Sequence, residues 1–329
     1  MKVLITGGTG FVGKQLAEHL LRMQTFPFKG EASRRIEKIT LFDAFPNDTK
    51  WTDPRIELIV GDISNAQAVA RVAQDADLVW HLAAVVSGEA EVDFDLGMRV
   101  NLQGTWNLLE TLRASSTRPR LVNASSFAVF GGDLPPVVTD RTDLTPKSSY
   151  GTQKAIGELL VADFTRKGFV DGRSLRLPTI TVRPGKPNKA ASTFVSSIIR
   201  EPLSRQPAVC PVRKDSLVYI SSPRRTVEAM VRAMFLSGET IGAERTIPLP
   251  GLTLSVGEMV AALERIAGPT ATSLIRWEPD ATIQRLVDSW PGRVEAARAK
   301  ALGFRADSDF DEIVRAHIED ESVTQWWRN

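Results

Sequence analysis

Thr6-Gly7-Gly8-Thr9-Gly10-Phe11-Val12-Gly13 follows the apolar run Val3-Leu4-Ile5 and precedes a stretch of helical periodicity that reaches about Met23. Glycines at 7, 10 and 13 let the backbone turn tightly and approach a pyrophosphate, and a helix start supplies N–H groups and partial positive charge. With Lys38-Ile39-Thr40-Leu41-Phe42 beyond it, the segment reads as strand, loop, helix and strand, one βαβ unit of a dinucleotide-binding sheet. Gly7, Gly10, Phe11, Val12 and Gly13 are therefore the candidate pyrophosphate residues. Asp43, just past the second strand, stands where a carboxylate accepts the hydroxyls of an adenosine ribose and repels a 2′-phosphate, which favours NAD over NADP. It lies beyond the usual ~20-residue spacing because of the loop Gln24 to Arg35, whose Arg34-Arg35 pair argues the other way.

Working outward, the apolar runs Ile56 to Val60, Leu78 to Leu82, Leu121 to Asn123 and Ser174 to Leu177 recur with helical stretches between them. That alternation predicts an α/β fold, a Rossmann-type doubly wound parallel sheet over residues 1–184 that 215–248 completes. Helical periodicity in Val100 to Leu112 and in Tyr150 to Arg166 predicts two helices packed on the sheet. After Pro178 the composition turns to Pro, Lys, Arg and Ser. Residues 185–214 and 249–329 are expected to form a smaller C-terminal substrate-binding region with C-terminal helices.

The 329 residues, 43% hydrophobic and 24% charged, suffice for a large core. A net charge of +2 with no block of like charges gives no reason to expect a nucleic-acid or membrane surface, so the expected partner is a small molecule. Cys210 is the single cysteine, and His19, His81 and His317 show no zinc-ligand spacing, so neither a disulfide nor a metal is expected. The apolar start runs straight into glycines and forms no signal-peptide core, which points to the cytoplasm.

Tyr150 and Lys154, in Ser149-Tyr150-Gly151-Thr152-Gln153-Lys154, stand one helical turn apart. A phenol of pKa about 10 is a poor base at neutral pH, and an ammonium beside its oxygen favours the phenolate. Tyr150 is thus the candidate general base. The spacing alone is weak, because a surface helix with a solvated lysine has the same pattern; the order of several motifs carries the argument.

In that order the chain resembles the extended short-chain dehydrogenase/reductase family over about residues 1 to 250. The resemblance implies that Asp62 and Ile63, in Gly61-Asp62-Ile63, contact the adenine, and that Leu82, Ala83 and Ala84, in His81-Leu82-Ala83-Ala84, line the cofactor. It implies that Asn101, in Arg99-Val100-Asn101-Leu102-Gln103-Gly104-Thr105, holds a water near the catalytic lysine. Ser126, in Ser125-Ser126-Phe127-Ala128-Val129-Phe130-Gly131, becomes the catalytic hydroxyl, with Phe130 where the family usually has Tyr. Pro178 and Ile180 become nicotinamide-side contacts. Ser126 and Tyr150 would then hydrogen-bond one substrate hydroxyl, Tyr150 would remove its proton, and hydride would pass to the nicotinamide. Lys154 would lower the phenol pKa and hold the nicotinamide ribose.

Many family members act on nucleotide sugars, so epimerisation or reduction of a sugar nucleotide is one reading. The runs Ile180 to Asn188 and Tyr219 to Arg225 depart from the family's Asn-x-Tyr-Gly-Pro run and Val-Asp pair. With Ser149 to Glu158 and Ala190 to Val195 they resemble bacterial NAD-dependent dehydrogenases of four-carbon sugar acids. That implies oxidation of the C2 hydroxyl of D-erythronate or a close aldonate to the 2-oxo acid. A carboxylate substrate suits guanidinium ligands, and Arg183, Lys186, Arg224 and Arg225 are available. Ser87, Asn188 and Ser192 are further candidate substrate contacts. A third reading, a non-catalytic NAD-binding regulator, has no physical need for Ser126, Tyr150 and Lys154 together. The resemblance also implies a homodimer through Val100 to Leu112 and Tyr150 to Arg166. Trp326-Trp327 reads either as an interface anchor or as a terminus folded onto its own core.

Overall fold

The computed structural model describes residues 1–23, 25–26, 33–46, 49–185 and 192–328. The chain divides into two compact units. The first comprises Met1–Ser126, Ser148–Arg176 and Val227–Pro248; the second comprises Phe127–Lys147, Leu177–Thr226 and Leu249–Asn329.

The first unit is built on a seven-stranded parallel sheet of β1 (Lys2–Thr6), β2 (Lys38–Asp43), β3 (Ile56–Val60), β4 (Leu78–His81), β5 (Arg120–Ser126), β6 (Asp171–Leu177) and β7 (Thr246–Pro248). The order is β3-β2-β1-β4-β5-β6-β7. The chain winds outward in both directions from β1, so the direction of winding reverses between β1 and β4, and ligands of such sheets bind outside the carboxyl ends of the strands at that point. There Thr6, the last residue of β1, pairs with His81, the last of β4. The β1 and β4 side chains are buried nearly throughout, as expected of strands covered on both faces.

Helix α1 (Phe11–Met23) turns Val12, Leu16, Ala17 and Leu20 inward at helical spacing. Helices α2 (Ala66–Ala73), α3 (Ser87–Val92) and α4 (Phe94–Gly97) follow. A π-helical segment, Met98–Gln103, then leads into α5 (Gly104–Arg113), so the expected helix from Val100 begins as a widened turn that carries Asn101. Helix α6 spans Ser149–Arg166. One core cluster joins Leu4, Phe42, Val79 and Leu121 of the sheet to Val69 of α2, Leu108 and Leu112 of α5, and Val161 of α6.

Near the amino ends of β5 and β6, Asp171 accepts from Arg120 at 2.9 Å, from Arg173 at 3.1 Å and from Arg245 at 3.2 Å. Burial alone would raise its pKa, but the charges of Arg173, Arg120 and Arg245 together lower it. This ties β5, β6 and the entry to β7 at the end of the sheet remote from the ligand crevice.

Of the stretch 215–248 expected to complete the sheet, Thr246–Pro248 does so beside β6. Leu217–Ser221 instead pairs with Thr179–Ile180 and Leu252–Ser255 in a three-stranded sheet of the second unit. Pro178 supplies the reason: it has no N–H for a ladder, so β6 ends at Leu177 and the chain starts a new sheet two residues on.

The second unit also holds the strand pairs Ala208–Cys210 with Ile275–Trp277 and Val138–Thr139 with Val294–Glu295. Its core packs Phe194 and Ile198 of helix Thr193–Leu203, Met259 and Leu263 of helix Val256–Thr272, and Ile313 and Val314 of helix Phe310–Asp320. Trp326 and Trp327 pack against this core, and Trp326 Nε1 donates to Leu203 O at 3.1 Å, so the terminus folds onto its own unit. Among the described residues no helix is long and apolar enough to cross a membrane.

Candidate active site

The glycine loop is shaped by close backbone approach. A Cβ on Gly7, which has φ +69°, would lie 2.7 Å from Ala83 N and 2.8 Å from Leu82 C. On Gly13 it would lie 2.5 Å from Gly7 O. Those two glycines are required by the chain itself. A Cβ on Gly10 would meet only Gly7 O, at 3.2 Å, among the described residues. The space beside Gly10 therefore remains open at the start of α1, where Phe11, Val12 and Gly13 form the first turn, which fits a dinucleotide pyrophosphate.

Asp43 closes β2 beside this loop. One carboxylate oxygen accepts from Thr9 N at 3.0 Å and the other from Phe45 N at 3.3 Å. Each oxygen retains a lone pair for a ribose hydroxyl, and the fixed negative charge disfavours a 2′-phosphate. Arg34 and Arg35 lie elsewhere. They pair with Thr25–Phe26, Arg35 O accepts from the Met1 amine at 2.7 Å, and Arg34 reaches Asp77 at 3.6 Å. That is the amino end of β1, roughly 15 Å of strand from its carboxyl end, so the pair does not stand where a 2′-phosphate would.

Asp62 is exposed and accepts from Ser64 N at 2.8 Å. Ile63 is buried, and a Cβ on Gly104 would lie 2.7 Å from its Cγ2. The Ile63 side chain thus packs inward, and an adenine contact would fall to its backbone. The sequence reading missed Asn107 of α5, whose amide donates to Ile63 O at 3.3 Å and Ser64 O at 2.8 Å and so steadies this loop. Leu82, Ala83 and Ala84 continue from β4, partly exposed, with Leu82 N donating to Thr6 O and Ala83 N to Thr6 Oγ1.

Ser126 ends β5, and Tyr150 and Lys154 ride on α6 within the same unit. Ser148 caps the helix by accepting from Gly151 N at 3.1 Å, and Glu91 of α3 accepts from Ser149 N at 2.8 Å. Tyr150 therefore sits in a doubly anchored first turn, where the helix dipole favours an anion. Lys154 is buried, its Nζ donates to Ala124 O at 2.9 Å, and it lies 5.6 Å from the centre of the Tyr150 ring. Burial pulls its pKa down to about 8, while Glu158 opposes the fall. At neutral pH the cation still predominates, near enough to favour a phenolate.

Asn101 makes three side-chain hydrogen bonds within the unit. Its Oδ1 accepts from Val85 N at 2.9 Å, and its Nδ2 donates to Val85 O at 3.3 Å and to Gln153 Oε1 at 2.8 Å. It clamps the chain after Ala84 to the catalytic helix, which makes it a positioning residue. Its carbonyl ends a buried chain of hydrogen bonds whose directions can all be assigned. Thr105 Oγ1 donates to Asn101 O at 2.7 Å, so it must accept from His81 Nε2–H at 3.0 Å. His81 Nδ1 is then the acceptor for Thr6 Oγ1 at 2.7 Å, which frees the Thr6 oxygen to accept from Ala83 N at 3.3 Å. Neutral His81 thereby locks the carboxyl ends of β1 and β4 to the π-helical segment. Burial first, with the Lys154 charge adding, drives its pKa down to about 3.

Ser87 begins α3 in the same unit, partly exposed, and its hydroxyl has no hydrogen bond to a described residue. Pro178, Ile180, Arg183, Ser192 and Arg225 belong to the second unit. Ser192 precedes helix Thr193–Leu203 without capping it through its side chain. Arg183 N donates to Ser196 Oγ and its carbonyl accepts from Arg200. Arg225 reaches Glu312 at 3.7 Å, and Arg224 is held by Glu319 and Asp320, so that guanidinium serves helix Phe310–Asp320. Asn188 and Lys186 lie outside the described residues.

A glycine cradle at the winding reversal and an acidic residue closing β2 place the chain among the Rossmann-type, nicotinamide-dependent oxidoreductases. The chain belongs to the NAD dependent epimerase/dehydratase family, which it matches over residues 3–221. It is 51% identical over 327 residues to a D-erythronate dehydrogenase of Cupriavidus necator, covering 99% of this chain and 100% of the relative. A D-erythronate dehydrogenase of Haemophilus influenzae is 42% identical over 97% of this chain and 99% of its own. A crystal structure described as a nucleoside-diphosphate-sugar epimerase from Agrobacterium tumefaciens superposes with a TM-score of 0.92 at 42% identity, covering 99% of this chain and 96% of that one.

The lowered pKa of His81 gives a testable consequence. A histidine held neutral in the fold contributes stability above its unfolded pKa of about 6.5 and loses it as pH falls toward the folded value. Urea midpoints should fall between about pH 6.5 and 4, and His81→Asn should flatten the slope by up to about 1.4 kcal/mol per pH unit. The remaining histidine-linked slope belongs to His317, which burial holds down to about 4, and to His19, whose pKa burial also lowers. An unchanged slope in the variant would mean that His81 is not the group taking up the proton.

Proposed function

We propose that the protein is an NAD-dependent dehydrogenase that oxidises the C2 hydroxyl of D-erythronate, or of a close four-carbon aldonate, to the 2-oxo acid. What carries the proposal is a buried Lys154 one turn from Tyr150, in a chain half identical along its whole length to a D-erythronate dehydrogenase. The glycine loop and Asp43 bind the dinucleotide, with Asp62, the Ile63 backbone and Leu82 to Ala84 along its length; Pro178 and Ile180 complete the nicotinamide side. When bound, NAD supplies a hydride acceptor. Ser126 and Tyr150 orient the C2 hydroxyl, and Tyr150 Oη takes its proton. Lys154 stabilises the phenolate and holds the nicotinamide ribose. Arg183 and Arg225, with Ser87, Asn188 and Ser192, are assigned to the acid, whose carboxylate suits a guanidinium ligand. The single buried cysteine suits the reducing cytoplasm.

The name of the Agrobacterium relative favours a second reading, sugar-nucleotide epimerisation. Absorbance at the reduced-nicotinamide band separates the two when D-erythronate, L-threonate, D-threonate and a UDP-hexose are offered with NAD. NADH should accumulate with one C4 acid. Tyr150→Phe should lower kcat/KM by roughly 10³ or more and Ser126→Ala by roughly 10². Conversion of the UDP-hexose without net NADH would replace the dehydrogenase reading with the second.

Cofactor choice is assigned to Asp43. Asp43→Asn should raise the kcat/KM ratio of NADP to NAD at least roughly tenfold by removing the charge that repels a 2′-phosphate; an unchanged ratio would place selection elsewhere.

The assembly we propose is a homodimer through the outer faces of α5 and α6. Trp106 on α5 is 41% exposed and Leu159 on α6 is 66% exposed, an apolar pair that a partner copy would cover. Light scattering should report twice 36.1 kDa, about 72 kDa, and Leu159→Glu should halve it. A wild-type mass of one chain would exclude the dimer.

A further inference from the structure

Tyr150, Lys154 and Glu158 follow one another at four-residue spacing along α6, so they share one face. Glu158 is 3% exposed, and its carboxylate is fully engaged. Oε1 accepts from Ser125 Oγ at 2.5 Å and Arg176 Nε at 2.9 Å, and Oε2 accepts from the Arg176 terminal nitrogen at 2.8 Å. Lys154 reaches Ala124 O, and Glu158 reaches the hydroxyl of the next residue, Ser125. The next residue again is Ser126. Two successive positions of β5 are thus pinned by two residues of α6 one turn apart, which sets the height of Tyr150 relative to Ser126. Glu158 takes no part in the chemistry proposed above, yet it is a carboxylate buried one turn from a buried ammonium.

We propose that Glu158, held by Arg176 and Ser125, is a positioning residue that keeps Lys154 protonated through the pH range in which Tyr150 ionises. The inference rests on Tyr150 acting as the base. A buried lysine with no counter-charge discharges readily. The other ionisable groups nearby work against the cation or lie apart from it. His81 is neutral and buried, and Arg176 is opposed by Glu158 itself. On the elements packed against α6, Glu91 is exposed and caps Ser149, Glu89 is half-buried, and Asp95 and Arg99 are exposed. Glu110 and Arg113 pair with each other, and Arg120 binds Asp171 at the far end of β5. Glu158 is accordingly the carboxylate placed to hold the Lys154 proton, in agreement with its opposition to the burial of that lysine.

The chain's two tyrosines permit a direct test. Tyr219 is buried, its hydroxyl donates to Leu249 O at 3.0 Å, and burial raises its pKa, so the first phenolate to form on raising pH belongs to Tyr150. Phenolate absorbance near 295 nm is titrated in the full-length protein without substrate, with Tyr150→Phe defining the residual signal. Removing a negative charge near a phenol lowers its pKa by direct electrostatics. Acting through Lys154, Glu158→Gln must instead raise the Tyr150 midpoint, by about one pH unit. In a Lys154→Met background the same substitution should leave the midpoint unchanged or lower it. A downward or absent shift in the single variant, or an equal upward shift in the Lys154→Met background, would overturn the proposal. Glu158→Asp draws the carboxylate back by one methylene and should shift the midpoint in the same direction by less, which serves where the amide is not tolerated. The readout needs neither sugar acid nor turnover, so failure of the substrate assignment and failure of this inference remain distinguishable.

Discussion

A lysine ammonium buried at the end of a central strand is the constraint around which the catalytic half of this protein is arranged. Removing such a charge from water costs several kcal/mol unless the surroundings answer it. Lys154 is answered by the Ala124 carbonyl and by Glu158, and Glu158 in turn requires Arg176 and Ser125. Ala124 and Ser125 lie on β5 and Arg176 on β6, so satisfying the charge fixes α6 against both strands. The same geometry that makes the burial tolerable brings the cation to Tyr150.

A second buried polar chain performs the matching task for the cofactor side. From Ala83 N through Thr6, His81 and Thr105 to Asn101 O, every donor faces one acceptor, and Asn101 passes the constraint on to Val85 and Gln153. Fully satisfied networks of this kind specify a single arrangement because any break leaves a buried polar group unmet. Gly7 and Gly13 act alongside by steric means, since a Cβ on either would collide with backbone. The crevice is therefore held by hydrogen bonds on one side and by missing side chains on the other.

Local pattern made much of this legible. The glycine run, the strands around Leu4, Leu41 and Val79, and the helix carrying Tyr150 and Lys154 all announce themselves through spacing and apolar periodicity. What escaped detection depends on partners far apart along the chain. His81 read as a cofactor-lining residue's neighbour, but its role comes from Thr6, 75 residues earlier, and from Thr105, 24 later. Arg34 and Arg35 raised a doubt over the cofactor that only their place at the amino end of β1 removes. Arg224 was available to an acidic substrate by composition, yet helix Phe310–Asp320 supplies two carboxylates to it.

By itself, the sequence determined the doubly wound sheet, the glycine loop and the helix that carries Tyr150 and Lys154 one turn apart, because each is written in short-range spacing that backbone geometry converts directly into structure; Ser126 was singled out by the family resemblance instead. Only the tertiary structure decided that Leu217–Ser221 joins a separate sheet, that the Asn101 side chain ties Val85 to Gln153, and that Glu158 is bound by Arg176 and Ser125. Those outcomes depend on how buried polar groups find their partners, and that choice is made by packing between segments, for which neighbouring residues carry no signal.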